Sequence, residues 1–228
     1  MRFASWNVNK FSQSQHALWD RAENERRIRR VLLELDADVL AVQEAPSADF
    51  ELEGYTTHAS ARSHSGYSII LSRGEAHAIT MPDGVPAAGA CVDGVNVVAV
   101  HLAPGADGCK LRASQMGAVF DLLHGGPAVV LGDTNMRESE KPENGTRFGD
   151  VWKFAGSPQN IRFSWDSQCN QFYADSFTPG FKCRFDRAYT NIGFAMVRNM
   201  RLFANTPDEL CGAFLSDHFG LAFTIPRL

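Results

Sequence analysis

Apolar residues fall along this chain in two rhythms. Short apolar or alternating runs predict strands at Phe3 to Val8, Val39 to Val42, Tyr67 to Ser72, Ala76 to Thr80, Ala88 to Val92, Val95 to Leu102 and Ala128 to Leu131. Ile28, Val31, Leu32 and Leu35 recur instead at i, i+3, i+4 and i+7, the inner stripe of an amphipathic helix. A second helical stretch, Leu111 to Leu123, is stopped by Gly125, Gly126 and Pro127. Asp93-Gly94 sits between two apolar runs and suits a type I′ hairpin turn. Pro46 forbids continuation of the Val39 strand, which therefore delivers Glu44 at its C-terminal end. After a polar and aromatic stretch from Ser157 to Lys182 that reads as one long loop, strands at Arg184 to Thr190, Ala195 to Phe203 and Phe219 to Ile225 close the chain. Two helices among many strands in hairpin order imply an α+β or mixed α/β sandwich, not pure βαβ winding. With no linker, low-complexity tract or repeat, one domain is expected over residues 1–228.

Composition narrows the function more than the fold. Hydrophobic residues make up 44% and charged residues 21% of the 228, enough apolar material for a sizeable core and too little bias for a disordered or fibrous chain. The 22 Lys and Arg against 26 Asp and Glu give a net charge of −4, so binding to nucleic acid by bulk electrostatics is excluded. An anionic substrate would have to be met by a local patch or a metal. The arginines at 26, 27, 29 and 30 lie mostly on the outer helix face and read as a solvated face or a phosphate-tracking patch. Five scattered cysteines without a CxxC suggest neither a disulfide framework nor a zinc site, and favour a reducing compartment. Neither a signal-peptide h-region nor an eighteen-residue apolar stretch is present, so no membrane role is expected.

Polar groups stand where the apolar runs stop: Asn7 and Asn9, Glu44, His101, Asp133 and Asn135, Asp186, Asp217 and His218. Any one of these is commonly a turn former or a cap. Strand ends of one sheet can converge on one rim, and that many acids, amides and imidazoles brought together are costly unless a cation neutralises them. A hard divalent ion fits such a set.

Ser5-Trp6-Asn7-Val8-Asn9, Val42-Gln43-Glu44, Val100-His101-Leu102, Gly132-Asp133-Thr134-Asn135-Met136-Arg137, Phe185-Asp186-Arg187 and Ser216-Asp217-His218-Phe219-Gly220-Leu221 resemble, in order and spacing, the motifs of the endonuclease/exonuclease/phosphatase superfamily. Asp150-Val151-Trp152-Lys153-Phe154, Ser164-Trp165-Asp166-Ser167-Gln168 and Lys182-Cys183-Arg184 narrow the likeness to its tyrosyl-DNA phosphodiesterase 2 family. The resemblance implies two mixed sheets packed face to face and flanked by helices, a four-layer DNase I-like sandwich. It also implies a magnesium-dependent phosphodiesterase, with manganese as the alternative ion, that acts on DNA 5′ ends carrying phosphotyrosine, preferably single-stranded. Glu44 would be the direct metal ligand, supported by Asp217 and Asn7. Asp133, steered by Asn135, would deprotonate the attacking water; His218, oriented by Asp186, and His101 would contact the phosphate. Arg137 would hold the phosphate or adjacent backbone, and Trp165, Phe172 and Tyr173 would wall the terminal nucleotide unless they are core. The tyrosine leaving group has an ordinary pKa of about 10, low enough to depart without a dedicated acid.

The resemblance further implies a monomer, cytoplasmic in a bacterium, nuclear and cytoplasmic in a eukaryote, and a bare catalytic domain without the N-terminal ubiquitin-binding module of animal members. Two departures stand out: Asn9-Lys10 where the family has Asp-Gly, and Ala103-Pro104 where it tends to carry a Ser. The remaining histidines, His16, His58, His64, His77 and His124, read as surface residues without a role. The competing readings are a related diesterase acting on abasic DNA, RNA ends or nucleotides, and a binding module that has lost its chemistry.

Overall fold

Alternation along each strand assigns side chains to layers. In a computed structural model that describes residues 1–173, 180–193, 196–210 and 212–227, two six-stranded sheets form. In chain order the elements are β1 (Arg2–Asn7), α1 (Arg21–Glu34), β2 (Val39–Ala45), β3 (Thr56–Arg62), β4 (Tyr67–Ser72), β5 (Ala76–Ile79), β6 (Ala87–Val92), β7 (Val95–His101), α2 (Cys109–Leu122) and β8 (Ala128–Asp133). There follow β9 (Gly149–Asp150), α3 (Val151–Phe154), β10 (Trp165–Asp166), β11 (Lys182–Cys183), β12 (Asp186–Thr190), β13 (Arg198–Phe203) and β14 (Gly220–Thr224). One sheet runs β13-β14-β1-β2-β4-β3, the other β5-β6-β7-β8-β12-β9, and β10 pairs with β11 alone.

Phe3, Val39, Ala41, Ile70 and Phe223 of the first sheet meet Ala90, Val97, Val129, Leu131 and Ala188 of the second in the central core. The alternate residues Ala4, Leu40, Val42 and Ile69 face outward onto Ile28 and Leu32 of α1. On the other side Val98, Val100 and Val130 face Met116, Val119 and Phe120 of α2. The result is the expected four-layer sandwich. Each fully buried Leu, Ile or Phe contributes about 1.5–3 kcal/mol, so truncating Ile28 to Ala costs about 2–5 kcal/mol.

Helices α1 and α2 each link a parallel pair, β1 with β2 and β7 with β8, and the remaining pairings are antiparallel. Asp20 caps α1 by accepting from the Glu23 amide at 2.9 Å. Of the four α1 arginines, Arg26 and Arg30 are exposed and pair with Glu23 and Glu34, and Arg29 pairs with Glu25, as the solvated-face reading has it, whereas Arg27 packs inward against Asp208 and Trp19. Asp93 (φ 47°) and Gly94 (φ 81°) make the predicted hairpin turn.

Several short or edge elements depart from the sequence reading, β9 and α3 among them. The edge strand β3, Thr-Thr-His-Ala-Ser-Ala-Arg, carries no apolar alternation because it is half-exposed on both faces. The expected 157–182 loop contains the two-residue ladder β10–β11, too short to leave a pattern; residues 174–179 of that loop and Ala195 of the predicted 195–203 strand lie outside the described residues. Among the described residues no helix is long and apolar enough to cross a membrane.

Candidate active site

The topology puts the polar strand ends on one rim. Asn7 ends β1 opposite Gln43, and Glu44 follows on the parallel neighbour β2. His101 ends β7 opposite Asp133, which ends the parallel β8, and the antiparallel β12 starts at Asp186 opposite that same Asp133. Asp217 and His218 lie just before β14, which is antiparallel to β1.

Local backbone then aims the side chains. A bulge between Val42 and Ala45 of β2 places Glu44 at φ +53°, the kind of irregularity that redirects a side chain at a sheet rim. Gly66 closes against this bulge: a Cβ there would lie 2.7 Å from the Ala45 carbonyl oxygen. Gly132, at φ +143°, lets β8 approach β7, since a Cβ would stand 2.2 Å from the Val100 carbonyl oxygen; the Asp133 carboxylate is set by that approach.

Asp133 is the hub. Its Oδ1 accepts from the Asn135 amide at 2.9 Å. Its Oδ2 accepts from Asn7 Nδ2 at 3.1 Å and lies 3.6 Å from His101 Nε2 and 3.7 Å from His218 Nε2. The expected steering by Asn135 thus comes from its backbone N–H; its side-chain amide donates to the Leu102 carbonyl at 3.1 Å. Asn7 Nδ2 also reaches Glu44 Oε1 at 3.3 Å, tying the two sheets together through one amide. His218 Nδ1 bonds Asp186 Oδ2 at 2.7 Å, and His101 Nδ1 bonds the Ser63 hydroxyl at 3.0 Å.

Burial works to lower the His218 pKa, yet Asp186, Asp133 and Asp217 together hold it well above its usual value. Burial pushes His101 down to about 4, against the opposing pull of Asp133. Burial raises Asp133 too, but His218, His101 and the Asn135 and Asn7 donors outweigh it and hold the carboxyl below its ordinary value. Asp186 and Asp217 are both pushed up by burial against the pull of His218. One imidazolium and one neutral imidazole therefore face four carboxylates, and Asp186 Oδ1 is buried without a hydrogen-bond partner. A site with this surplus of negative oxygens fits a divalent cation, and among the described residues Glu44 with His64 and His101, and Asp133 with Asp186 and His218, are the sets of groups close enough to hold one. Asp217, expected as a metal supporter, accepts from the Trp165 side chain and lies beside the Ser216 hydroxyl at 3.4 Å.

The aromatic wall needs correction. Phe172 is 1% exposed and packs with Phe214 and Phe219, so it is core and does not line the cleft. Trp165 is 7% exposed, braced edge-on by Phe181 and Phe185, whereas Phe181, overlooked in the sequence, is 42% exposed. The Tyr173 hydroxyl accepts from Asn9 Nδ2, and burial, then Asp217, pushes its pKa up to about 12. Arg137 stacks over Phe185 at 5.3 Å and donates to the Asn135 and Gly105 carbonyls at 2.8 and 3.2 Å.

The 63–66 loop was missed altogether. His64, read as a surface residue without a role, lies with its ring 4.1 Å from that of His101, and Ser65 donates to Glu44 Oε2 at 2.9 Å. Lys10, one of the two departures, donates to Ser65 at 2.9 Å and stands 3.8 Å from Glu44. The segment Asn9-Lys10-Phe11 is left-handed throughout, φ 45°, 53° and 59°. Beside it a cavity of about 330 Å³ is lined by Lys10, Arg21, Pro46, Arg62, Gly66 and Tyr67. A larger one, about 660 Å³, lies against Leu52, Tyr55 and β3 and includes none of the rim groups. At Ala103-Pro104, the second departure, the Ala103 carbonyl is held by the buried Arg112, itself paired with Glu140 at 2.7 Å.

Comparison with known proteins follows the same outline. A family model described as the Endonuclease/Exonuclease/phosphatase family matches residues 4–218. Tyrosyl-DNA phosphodiesterase 2 of Gallus gallus is 33% identical over 132 residues, 53% of this chain and 35% of that protein; the chain spans about a third of the length of such relatives. A truncated Caenorhabditis elegans TDP2 superposes with a TM-score of 0.78 at 22% identity, covering 98% of this chain and 96% of that one. D. rerio TDP2 complexed with single strand DNA product gives 0.76 at 21% identity, covering 99% and 98%.

Proposed function

The chain belongs to the endonuclease/exonuclease/phosphatase family, and from that premise we propose that it is a divalent-metal-dependent phosphodiesterase that cleaves the 5′-phosphotyrosyl bond of DNA, leaving a 5′-phosphate. The observation that carries the reading is the placement of an ionised Asp133 between a protonated and a neutral imidazole, 3.7 and 3.6 Å away. The identity shared with tyrosyl-DNA phosphodiesterase 2 across the half of the chain that aligns supports the substrate.

Asp133 accepts the proton of the attacking water, held in orientation by the Asn135 N–H and the Asn7 amide. His218 carries a proton and donates from Nε2 to a phosphate oxygen as charge builds, while Asp186 fixes its ring through Nδ1. Neutral His101 turns Nε2 to the same space, its ring fixed by Ser63. Glu44, Asn7 and Asp217 would hold a magnesium or manganese ion, which when bound supplies charge stabilisation to the phosphate oxygens. Lys10, Arg21 and Arg62 around the neighbouring cavity give a chain of net charge −4 the local positive patch that a polyanion requires. The exposed Phe181, braced edge-on by the buried Trp165, offers apolar surface for the terminal nucleotide, where stacking is worth about 1–3 kcal/mol.

The test is a 5′-phosphotyrosyl single-stranded oligonucleotide with magnesium or with chelator. Tyrosine release in the first and not the second is expected; nicking of abasic DNA without tyrosine release would move the protein to the related nuclease reading.

A further inference from the structure

The loop between β3 and β4 determines where the protons of His101 sit. Ser63 Oγ donates to the Ser65 carbonyl at 3.0 Å, and Gly66 O lies at 3.4 Å on the same side. A hydroxyl has one proton, so at its 3.0 Å contact with His101 Nδ1 the Ser63 oxygen accepts and Nδ1 is the protonated nitrogen. Nε2 then presents a bare lone pair. It faces Glu44 Oε1 at 3.8 Å and Asp133 Oδ2 at 3.6 Å, acceptors turned toward an acceptor at separations too long for hydrogen bonds. His64, itself exposed, lays its ring against that of His101 at a tilt of 56°. One ligand atom each from Glu44, His64 and His101 can be chosen within 4.8 Å of one another.

We propose that Glu44, His64 and His101 form a binding site for Zn²⁺, through one carboxylate oxygen and two imidazole nitrogens with a fourth position open. Two imidazoles and one carboxylate suit zinc, whereas an ion that prefers carboxylate and water oxygens gains little from them. Ser63 serves as the partner that fixes the ligand ring by accepting its other N–H. The site rests on the phosphodiesterase reading only in sharing Glu44: zinc held there withdraws Glu44 from the hard-ion set. Zinc is accordingly an inhibitor of magnesium-supported turnover, and His64, outside the catalytic set, is the residue that confers this sensitivity.

The experiment is calorimetric titration of the tag-free chain with Zn²⁺ alone, beside Co²⁺ as a visible-absorption probe of nitrogen ligation. Wild type is expected to take up one Zn²⁺, and His64→Ala to bind it about tenfold more weakly or worse. Zinc inhibition, read as turnover relative to each variant's own zinc-free rate, weakens in step. His64→Asn, read alongside circular dichroism, repeats the comparison in a second background. Equal zinc affinity in wild type and both variants overturns the site. Absence of zinc binding in wild type also overturns it, and if magnesium still supports cleavage the phosphodiesterase reading stands. Zinc binding lost on His64 substitution in a chain that cleaves nothing with magnesium upholds the site and sinks the proposed activity.

Discussion

His101 and His218 are both buried, and each turns Nε2 toward the same oxygen of Asp133 at nearly the same distance. They differ at the other nitrogen. His218 has a carboxylate there, Asp186 at 2.7 Å, and keeps its proton; His101 has a hydroxyl, Ser63 at 3.0 Å, and is driven neutral. Burial acts on both in the same direction, so neighbouring charge decides the outcome. One pocket thereby contains a donor of positive charge and an uncharged lone pair, made from the same side chain by a partner one atom away.

Removing the shared centre breaks the comparison most severely. Asp133→Asn takes away the base and the charge both rings face, and turnover of the phosphotyrosyl oligonucleotide should fall by about 10²–10⁴-fold with far-ultraviolet dichroism unchanged. Wild-type rates in that variant would remove Asp133 from the role of base.

Asp186→Asn should make His218 behave more like His101. The imidazolium loses its nearest anion, so its pKa falls, and the protonated donor is lost at lower pH than in wild type. The alkaline limb of the pH–rate profile is therefore expected to move to lower pH, with turnover down about 10²-fold. A titration of the His218 ring in the metal-free chain by NMR checks the same sign directly, and an unmoved limb would detach Asp186 from this function.

Ser63→Asp runs the exchange in reverse. A carboxylate at His101 Nδ1 should raise that ring from about 4 toward the ordinary histidine value, again read by NMR. Ser63→Ala is the mildest change: it deletes the hydroxyl's bonds to His101 and to the Ser65 carbonyl, each worth about 1 kcal/mol in urea unfolding, and leaves His101 neutral.

Much of this site was legible because strands end where their apolar runs end. The run Val39 to Val42 followed by Gln-Glu-Ala-Pro located Glu44, and Ala128 to Leu131 followed by Gly-Asp located Asp133, since apolar periodicity and a stop signal are properties of contiguous residues. His64 was illegible for the opposite reason: its neighbour is 37 positions away, and only the pairing of β3 with β4 brings the loop over His101. Phe172 misled because an aromatic in a polar stretch looks like a binding surface until Phe214 and Phe219 are found around it. The bulge at Glu44 left no mark either, as the Gly66 backbone that packs against it lies across the ladder.

Asn7 and Glu44 belong to one sheet, His101, Asp133 and Asp186 to the other, and a single amide spans the seam between them. The pocket is thus a gauge of how the two halves of the sandwich are seated. A slide of one half against the other, too small to break a ladder, would still part Asn7 from one of its two acids. Warming or mild denaturant that loosens this seam should silence the chemistry while the strands themselves are still intact.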